Sequence, residues 1–385
     1  MSFRLVHVTT VPKSFIFLRD QIGFMSERGV EVVGVSSPGE DLERTREACG
    51  IETHALEMPR RISPLQDLAT VARLADLLRR LRPDVVHAHT PKGGLLGMLA
   101  ATAAGVPVRV YHMRGLPMMT ATGWRRELLT WTERVSCGLA HHCLCVSHSL
   151  REVAIEERLC PASKIEVIAG GSGQGVDARG RFDPTTRPAD ERARLRASMG
   201  IPEDATVVGF VGRLVRDKGI GELAYAWAKL ASRHPEAHLV VVGDYEERDA
   251  VGEETRALLE DAPRVHMLGW RDDVPTLYSA FDLVTLPTYR EGFPNVPLEA
   301  AAMGLPVVAT RIPGCVDAVD DTHTGLLVPA RDARALEGAL ERYLGDEELR
   351  RAHGEAGRAR VLASFDPELI YDGIHGVYAR LRRRL

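Results

Sequence analysis

The stretch Phe281-Asp282-Leu283-Val284-Thr285-Leu286-Pro287-Thr288-Tyr289-Arg290-Glu291-Gly292-Phe293-Pro294-Asn295-Val296-Pro297-Leu298-Glu299-Ala300-Ala301-Ala302-Met303-Gly304 decides the fold. Residues 281–287 are apolar and strand-like, and 297–304 read as a short helix opened by proline and closed by glycine. A Gly/Pro/Asn loop joins them. A strand, a loop and a helix start place two carboxylates, Glu291 and Glu299, beside free backbone N–H groups. That suits an anionic, hydroxyl-rich ligand: the N–H groups and helix dipole take phosphate, and the carboxylates take sugar hydroxyls.

The same grammar extends in both directions. Strands are expected at 4–8, 31–36, 85–88, 108–113, 142–146 and 164–168, then at 206–211, 238–242, 265–268, 283–286, 307–310 and 325–328. Helices fit 15–28, 65–81, 95–104, 124–139 and 147–158, and later 220–232, 253–260, 274–280 and 333–344. Strict alternation of strand and helix argues for parallel sheets covered by helices on both faces. A chain of 385 residues, 45% hydrophobic, is long enough for two such domains. The joint falls in Gly170-Gly171-Ser172-Gly173-Gln174-Gly175-Val176-Asp177, whose glycines fit a hinge or a plain linker equally well.

The 291–299 segment resembles the E-x7-E motif of the retaining GT-B glycosyltransferases of family 4, the group 1 glycosyltransferases. The resemblance runs over essentially the whole chain and is strongest over 207–329. Within that family, residues 8–12 and 114–116 are most similar to bacterial surface-polysaccharide and lipid-linked-oligosaccharide enzymes. It implies an α/β, GT-B architecture: two doubly wound, Rossmann-like domains facing a central cleft. Residues 1–177 would bind the acceptor and 178–365 the nucleotide-sugar donor, and a C-terminal helix within 366–385 would pack back on the first domain. Glu291 would contact the donor sugar, Glu299 would hold the ribose, and the Gly292-Phe293 backbone, with Asn295 in the same segment, would lie along the donor.

A second constellation supports a diphosphate. Residues 207–211 run into Gly212-Arg213-Leu214-Val215-Arg216-Asp217-Lys218-Gly219, where Arg213 offers a planar fork and Lys218 a point charge on a glycine-bounded loop. This is similar to the family's G-R-x5-K-G pattern, which implies that both cations neutralise the departing nucleoside diphosphate. By the same resemblance, Asp273 and Val274 border the nucleobase. The chain contains no D-x-D triplet, so no metal and no other cofactor is expected.

The acceptor side rests on Arg109-Val110-Tyr111-His112-Met113-Arg114-Gly115, a strand that leads into a loop. Many family members carry a histidine just before this glycine, where Arg114 stands here. His112, two positions earlier, projects to the same side of a strand. Either Arg114 stabilises phosphate charge or His112 contacts the donor sugar. A structural, hydrogen-bonded His112 is the plainer alternative. Retention would proceed through an oxocarbenium-like state, with the departing phosphate taking the acceptor's proton and Glu291 positioning the sugar. The stripe of Met, Trp, Leu and paired Arg in 116–131 suits a membrane surface or polyprenyl chain, or packing on its own domain. The tail 380–384 suits solvent, or lipid headgroups.

Bulk composition excludes other classes. Net charge is −4 and pI about 6.4, which gives no nucleic-acid footprint. Residues 1–177 carry 21 Lys/Arg against 19 Asp/Glu, and 178–385 carry 28 against 34, an asymmetry too small to name a partner. The six cysteines follow no disulfide framework. Cys143-Leu144-Cys145 and His87-Ala88-His89 read as buried strand residues rather than metal motifs. Met1-Ser2-Phe3-Arg4 leads straight into a strand, so the protein is expected in the cytoplasm or on the inner membrane face. No G-x-G-x-x-G follows the first strand, which removes a dinucleotide oxidoreductase. The expected partners are a nucleotide-sugar, most simply a UDP-sugar, and a polyprenyl-diphosphate-linked or polysaccharide acceptor. Two alternatives remain: a UDP-N-acetylglucosamine 2-epimerase, and an inert nucleotide-sugar-binding subunit.

Overall fold

The structure is a computed structural model that describes residues 2–59, 61–247 and 249–384. The chain divides into two compact units, one comprising residues up to Gln174 together with those from Pro367 on, the other Gly175–Asp366.

The first unit holds a seven-stranded parallel sheet of β1 (Phe3–Val8), β2 (Val30–Ser36), β3 (Glu52–Ala55), β4 (Val85–His89), β5 (Val108–Met113), β6 (His142–Cys145) and β7 (Ile165–Val167), in the order β3-β2-β1-β4-β5-β6-β7. The second holds a six-stranded parallel sheet of β8 (Thr206–Val211), β9 (Ala237–Val242), β10 (Val265–Met267), β11 (Leu283–Leu286), β12 (Val307–Thr310) and β13 (Gly325–Val328), ordered β10-β9-β8-β11-β12-β13. The fold is thus the expected pair of Rossmann-like α/β domains. Each sheet reverses its winding once, between β1 and β4 and between β8 and β11. Loops leaving the carboxyl ends of such strands diverge and open a crevice for ligand.

Both faces of the second sheet are buried, and successive residues divide between two cores. Val207 and Val211 of β8 join Val240, Val242 and Leu298 on one side. Val208 and Phe210 join Leu239, Val241 and Trp227 on the other. In the first unit the helix Pro367–Arg382 sends Ile370, Ile374, Val377 and Tyr378 into a core with Leu5, Val32 and Val110.

Several elements differ from expectation. The helix expected at 95–104 is Pro91–Ala103; Gly93-Gly94 suggests a break, yet Gly94 leaves the space that the Tyr111 ring fills. The segment 15–28 divides into a tight 3-10 turn, Pro12–Leu18, and the helix Arg19–Glu27. Phe15 and Leu18, three residues apart, both point inward, as three residues per turn requires. The helix expected at 297–304 is Asn295–Ala302. Proline in a first turn costs nothing, because N–H groups there have no intrahelical partner. Strand β3 escapes expectation because its four residues, Glu-Thr-His-Ala, are short and polar, and the helices Glu40–Cys49, Glu191–Ser198 and Glu347–Ser364 because their many charged residues blur any apolar period.

Candidate active site

In the second unit, the loops leaving β8 and β11 are fastened to each other. The Tyr289 N–H donates to the Asp217 carbonyl at 2.8 Å, and the Thr288 hydroxyl donates to the same oxygen at 3.0 Å. Arg290 pairs with the Asp217 carboxylate at 3.0 Å. Gly219 has φ +71°, and a Cβ there would lie 2.0 Å from the Pro287 carbonyl oxygen. Only glycine permits both the conformation and this approach.

The two constellations converge here. Lys218 Nζ is hydrogen-bonded to Glu291 Oε1, with side-chain exposures of 19% and 14%. The cation expected for phosphate and the carboxylate expected for the sugar therefore compensate each other. Arg213 lies more open and pairs with Glu246 at 2.7 Å. Glu299, on the helix Asn295–Ala302, accepts a hydrogen bond from the Tyr278 hydroxyl at 2.9 Å. Burial raises the Glu299 carboxyl above its usual range, while Tyr278 and Arg181 pull it down. Pro294 stands at the N-cap of this helix and offers no side-chain cap of its own. The Gly292 carbonyl packs on Gly314, where a Cβ would sit 2.5 Å from its oxygen, and Phe293 rests on Phe365 with ring centroids 5.6 Å apart. Asn295 opens the helix. Asp273 precedes the helix Val274–Leu277 and is held by Arg271 through bonds of 2.7 and 2.6 Å, which lowers its pKa. Its carboxylate thus engages neither Arg213 nor Lys218. Val274 packs partly buried against the core.

In the first unit, the corresponding reversal gathers four histidines. His7 of β1 pairs in register with His87 of β4, and His89 with His112 of β5. The His87 and His112 rings stack at 5.2 Å, inclined by 4°. Arg114 Nε donates to His89 Nδ1 at 3.2 Å, so His89 Nε2 carries the proton and donates to His7 Nδ1 at 2.9 Å. Tyr378, from the C-terminal helix, meets His87 Nδ1. Burial, reinforced by Arg114, lowers His7 to about 3. Burial is also the main cause that holds His87, His89 and His112 well below the ordinary range. Arg114 is lowered to about 10 by burial and stays charged at neutral pH. The buried His7 Nε2, His87 Nε2, Thr90 Oγ1, His112 Nδ1 and Arg114 Nη2 have no hydrogen-bond partner. Unsatisfied polar atoms at a winding reversal mark a place for a polar ligand or water.

His7, His87 and His89 stand close enough to suggest a metal. Arg114 argues otherwise, because an imidazole ligating through Nε2 carries its proton on Nδ1, which here would face the Arg114 N–H. Of the stripe at 116–131, Leu116 and Met118 are buried, whereas Trp124 and Trp131 are 74% and 60% exposed. A separate cavity of about 470 Å³ is bordered by Arg216, Glu222, Asp249, Tyr289 and Arg331 and by none of the expected site residues. Arg216 is paired with Asp249 at 2.9 Å, and Glu222 accepts a hydrogen bond from the Tyr289 hydroxyl at 2.7 Å.

Sequence reasoning missed Tyr278, Asp217, Gly314, His7, His89 and Tyr378. His89 alone had a visible signal, its i, i+2 spacing from His87. The others act across long sequence separations.

Two Rossmann-like units with a cation–carboxylate site at a winding reversal are what a GT-B glycosyltransferase requires. Family models confirm it: "Glycosyl transferases group 1" matches residues 191–360 and "Glycosyl transferase 4-like domain" matches 17–171. The chain belongs to this family of group 1, GT4-type glycosyltransferases. It is 31% identical over 375 residues to the capsular polysaccharide biosynthesis glycosyltransferase CapM of Staphylococcus aureus, covering 97% of this chain and 96% of that one. It is 29% identical over 293 residues to UDP-Gal:alpha-D-GlcNAc-diphosphoundecaprenol alpha-1,3-galactosyltransferase of Escherichia coli, covering 75% and 74%. Among solved structures, HepE of Anabaena in complex with UDP superposes with a TM-score of 0.81 at 22% identity, covering 99% and 100% of the two chains, a likeness of fold. Family membership favours sugar transfer over the isomerase alternative. No described helix is long and apolar enough to cross a membrane.

Proposed function

We propose that the protein transfers a sugar from a UDP-sugar, with UDP-N-acetylhexosamines included, to a hydroxyl of a polyprenyl-diphosphate-linked or polysaccharide acceptor in bacterial envelope glycan synthesis, with retention of configuration. The observation that carries this reading is the Lys218–Glu291 pair at the β8/β11 reversal, beside the helix that bears Glu299. The donor and the diphosphoundecaprenol-linked acceptor in the name of the E. coli relative supply the substrate classes.

In this scheme the diphosphate takes Lys218 from Glu291 and engages Arg213, and the freed Glu291 meets the sugar hydroxyls. The Gly292-Phe293 backbone and Asn295 lie along the donor. Glu299, oriented by Tyr278, holds the ribose, and Asp273–Val274 flank the base. The anomeric C–O bond to the β-phosphate breaks, the acceptor oxygen bonds to that carbon from the same face, and its proton passes to the departing phosphate oxygen. Arg213, Lys218 and the helix dipole stabilise the developing charge without a divalent ion. Neutral His112 cannot stabilise anionic charge as an ion, so Arg114 takes that task and His112 is left to contact the sugar. Trp124 and Trp131 rest on the inner membrane surface that carries the acceptor.

The test is thermal stabilisation by UDP, GDP, ADP and a set of UDP-sugars, with Glu299→Ala and Arg213→Ala beside the wild type. A UDP-selective shift lost in both variants supports the donor site, and the anomeric configuration of the product, read by NMR, decides retention. No shift with any nucleotide overturns the donor site. Binding without turnover on lipid-linked acceptors marks an inert subunit.

A further inference from the structure

Three of the six cysteines, each from a different element, meet inside the first unit. Cys137 lies near the end of the helix Gly123–Leu139, Cys143 on β6, and Cys160 beyond the helix His148–Glu156. Their exposures are 1%, 0% and 2%, and the three Sγ atoms lie within 4.8 Å of one another. We propose that Cys137, Cys143 and Cys160 form a binding site for one thiophilic d10 cation, Zn2+ or Cu+.

Metal–sulfur bonds of about 2.3 Å set the sulfurs of a thiolate site about 3.8–4.0 Å apart, so a contraction of less than about 1 Å brings this trio to coordination distance. A disulfide would need sulfurs about 2 Å apart. Among the described residues no carboxylate or imidazole joins the trio, and an all-sulfur donor set selects soft ions over magnesium, calcium or manganese. Three thiolates around a divalent ion leave one negative charge. Lys164 is close enough to act electrostatically on Cys143 and Cys160, and its Nζ is anchored on the Gly138 carbonyl at 3.0 Å. Entry needs only local opening, because β7, which pairs with β6, is a three-residue strand at the sheet edge. The bound ion would tie the carboxyl end of the helix that bears Trp124 and Trp131 to the sheet.

The experiment adds Cd2+ as a spectroscopic probe to the reduced, full-length protein. The expected result is a thiolate-to-cadmium charge-transfer band that saturates at one ion per chain, with three sulfur neighbours by X-ray absorption. Cys137→Ser, Cys143→Ser and Cys160→Ser should each weaken binding by at least roughly tenfold, while Cys49→Ser and Cys315→Ser leave it intact. Anaerobic competition with Zn2+ and Cu+ then ranks the two ions. Absence of the band, or a nitrogen and oxygen shell around cadmium, overturns the proposal. So does a band that survives in a folded triple variant. Should the variants fail to fold, the coordination shell of the wild type decides alone.

Discussion

Acidification from about pH 7.5 to about pH 5.5 should loosen the first unit, by an amount that its buried histidines set. His7, His87, His89 and His112 titrate below the ordinary value of 6.5 because burial penalises the imidazolium. In the unfolded chain each takes up a proton as pH falls through 6.5, whereas the folded side chain stays neutral. The stability they contribute is therefore complete above 6.5 and declines toward the folded pKa, about 3 for His7. Over this interval each histidine that stays neutral in the fold costs on the order of 1 kcal/mol, and the four together several kcal/mol. Glu133 opposes them. Burial raises its carboxyl from 4.5 to about 7 against the pull of the Tyr111 hydroxyl, so the folded state binds a proton that the unfolded state does not. That contributes about 2 kcal/mol in favour of folding at the lower pH, which leaves a net loss of a few kcal/mol. Hydrogen exchange of β1, β4 and β5 amides at the two pH values, corrected for intrinsic rates, measures the difference. Glu133→Gln should enlarge the loss by about 2 kcal/mol, and His112→Gln should reduce it by on the order of 1 kcal/mol. Protection that changes by less than about 1 kcal/mol, or a Glu133→Gln variant indistinguishable from wild type, would refute the reasoning.

Lys218→Gln strands the Glu291 carboxylate and should destabilise the second unit by about 1–3 kcal/mol in urea unfolding; adding Glu291→Gln should recover part of that, and strictly additive effects would mean the pair is not coupled. Arg213→Ala removes an exposed ion pair, so stability should stay within about 0.5 kcal/mol while UDP affinity falls roughly tenfold; unchanged affinity by calorimetry would remove Arg213 from the donor site. Gly314→Ala combines φ +84° with a clash against Gly292, and should cost about 1–3 kcal/mol and weaken UDP binding; a variant with wild-type melting would show that this contact does not shape the loop. Trp124→Ser with Trp131→Ser should leave melting nearly unchanged yet reduce sedimentation with anionic vesicles, and full retention of vesicle binding would discard the membrane role.

Apart from β3, both sheets were legible because their strands are largely apolar and bounded by Gly and Pro, which period and punctuation reveal directly. The six strands 206–211, 238–242, 265–268, 283–286, 307–310 and 325–328 stand within a residue of their expected ends. Surface helices such as Glu347–Ser364 were not legible, since packing against Ala301 and Gly304 rather than a clear apolar stripe fixes them. The site was legible residue by residue but not as pairs. Lys218 and Glu291 are 73 positions apart, and nothing local says that one would hold the other. The histidine cluster depends on β4 lying beside β1, a fact of strand order. Tyr378 reaches His87 across 291 positions.

The helix Pro367–Arg382 has a consequence for biosynthesis. Its Ile370, Ile374, Val377 and Tyr378 complete the core around Leu5 and Val32, so a segment made early is finished by one made more than 300 residues later. On the ribosome, the stretch 175–366 can close its core while the amino-terminal stretch still waits with an open apolar flank. A chain interrupted before residue 367 would therefore leave its first unit unfinished while the second closes, and such products would expose themselves to proteolysis.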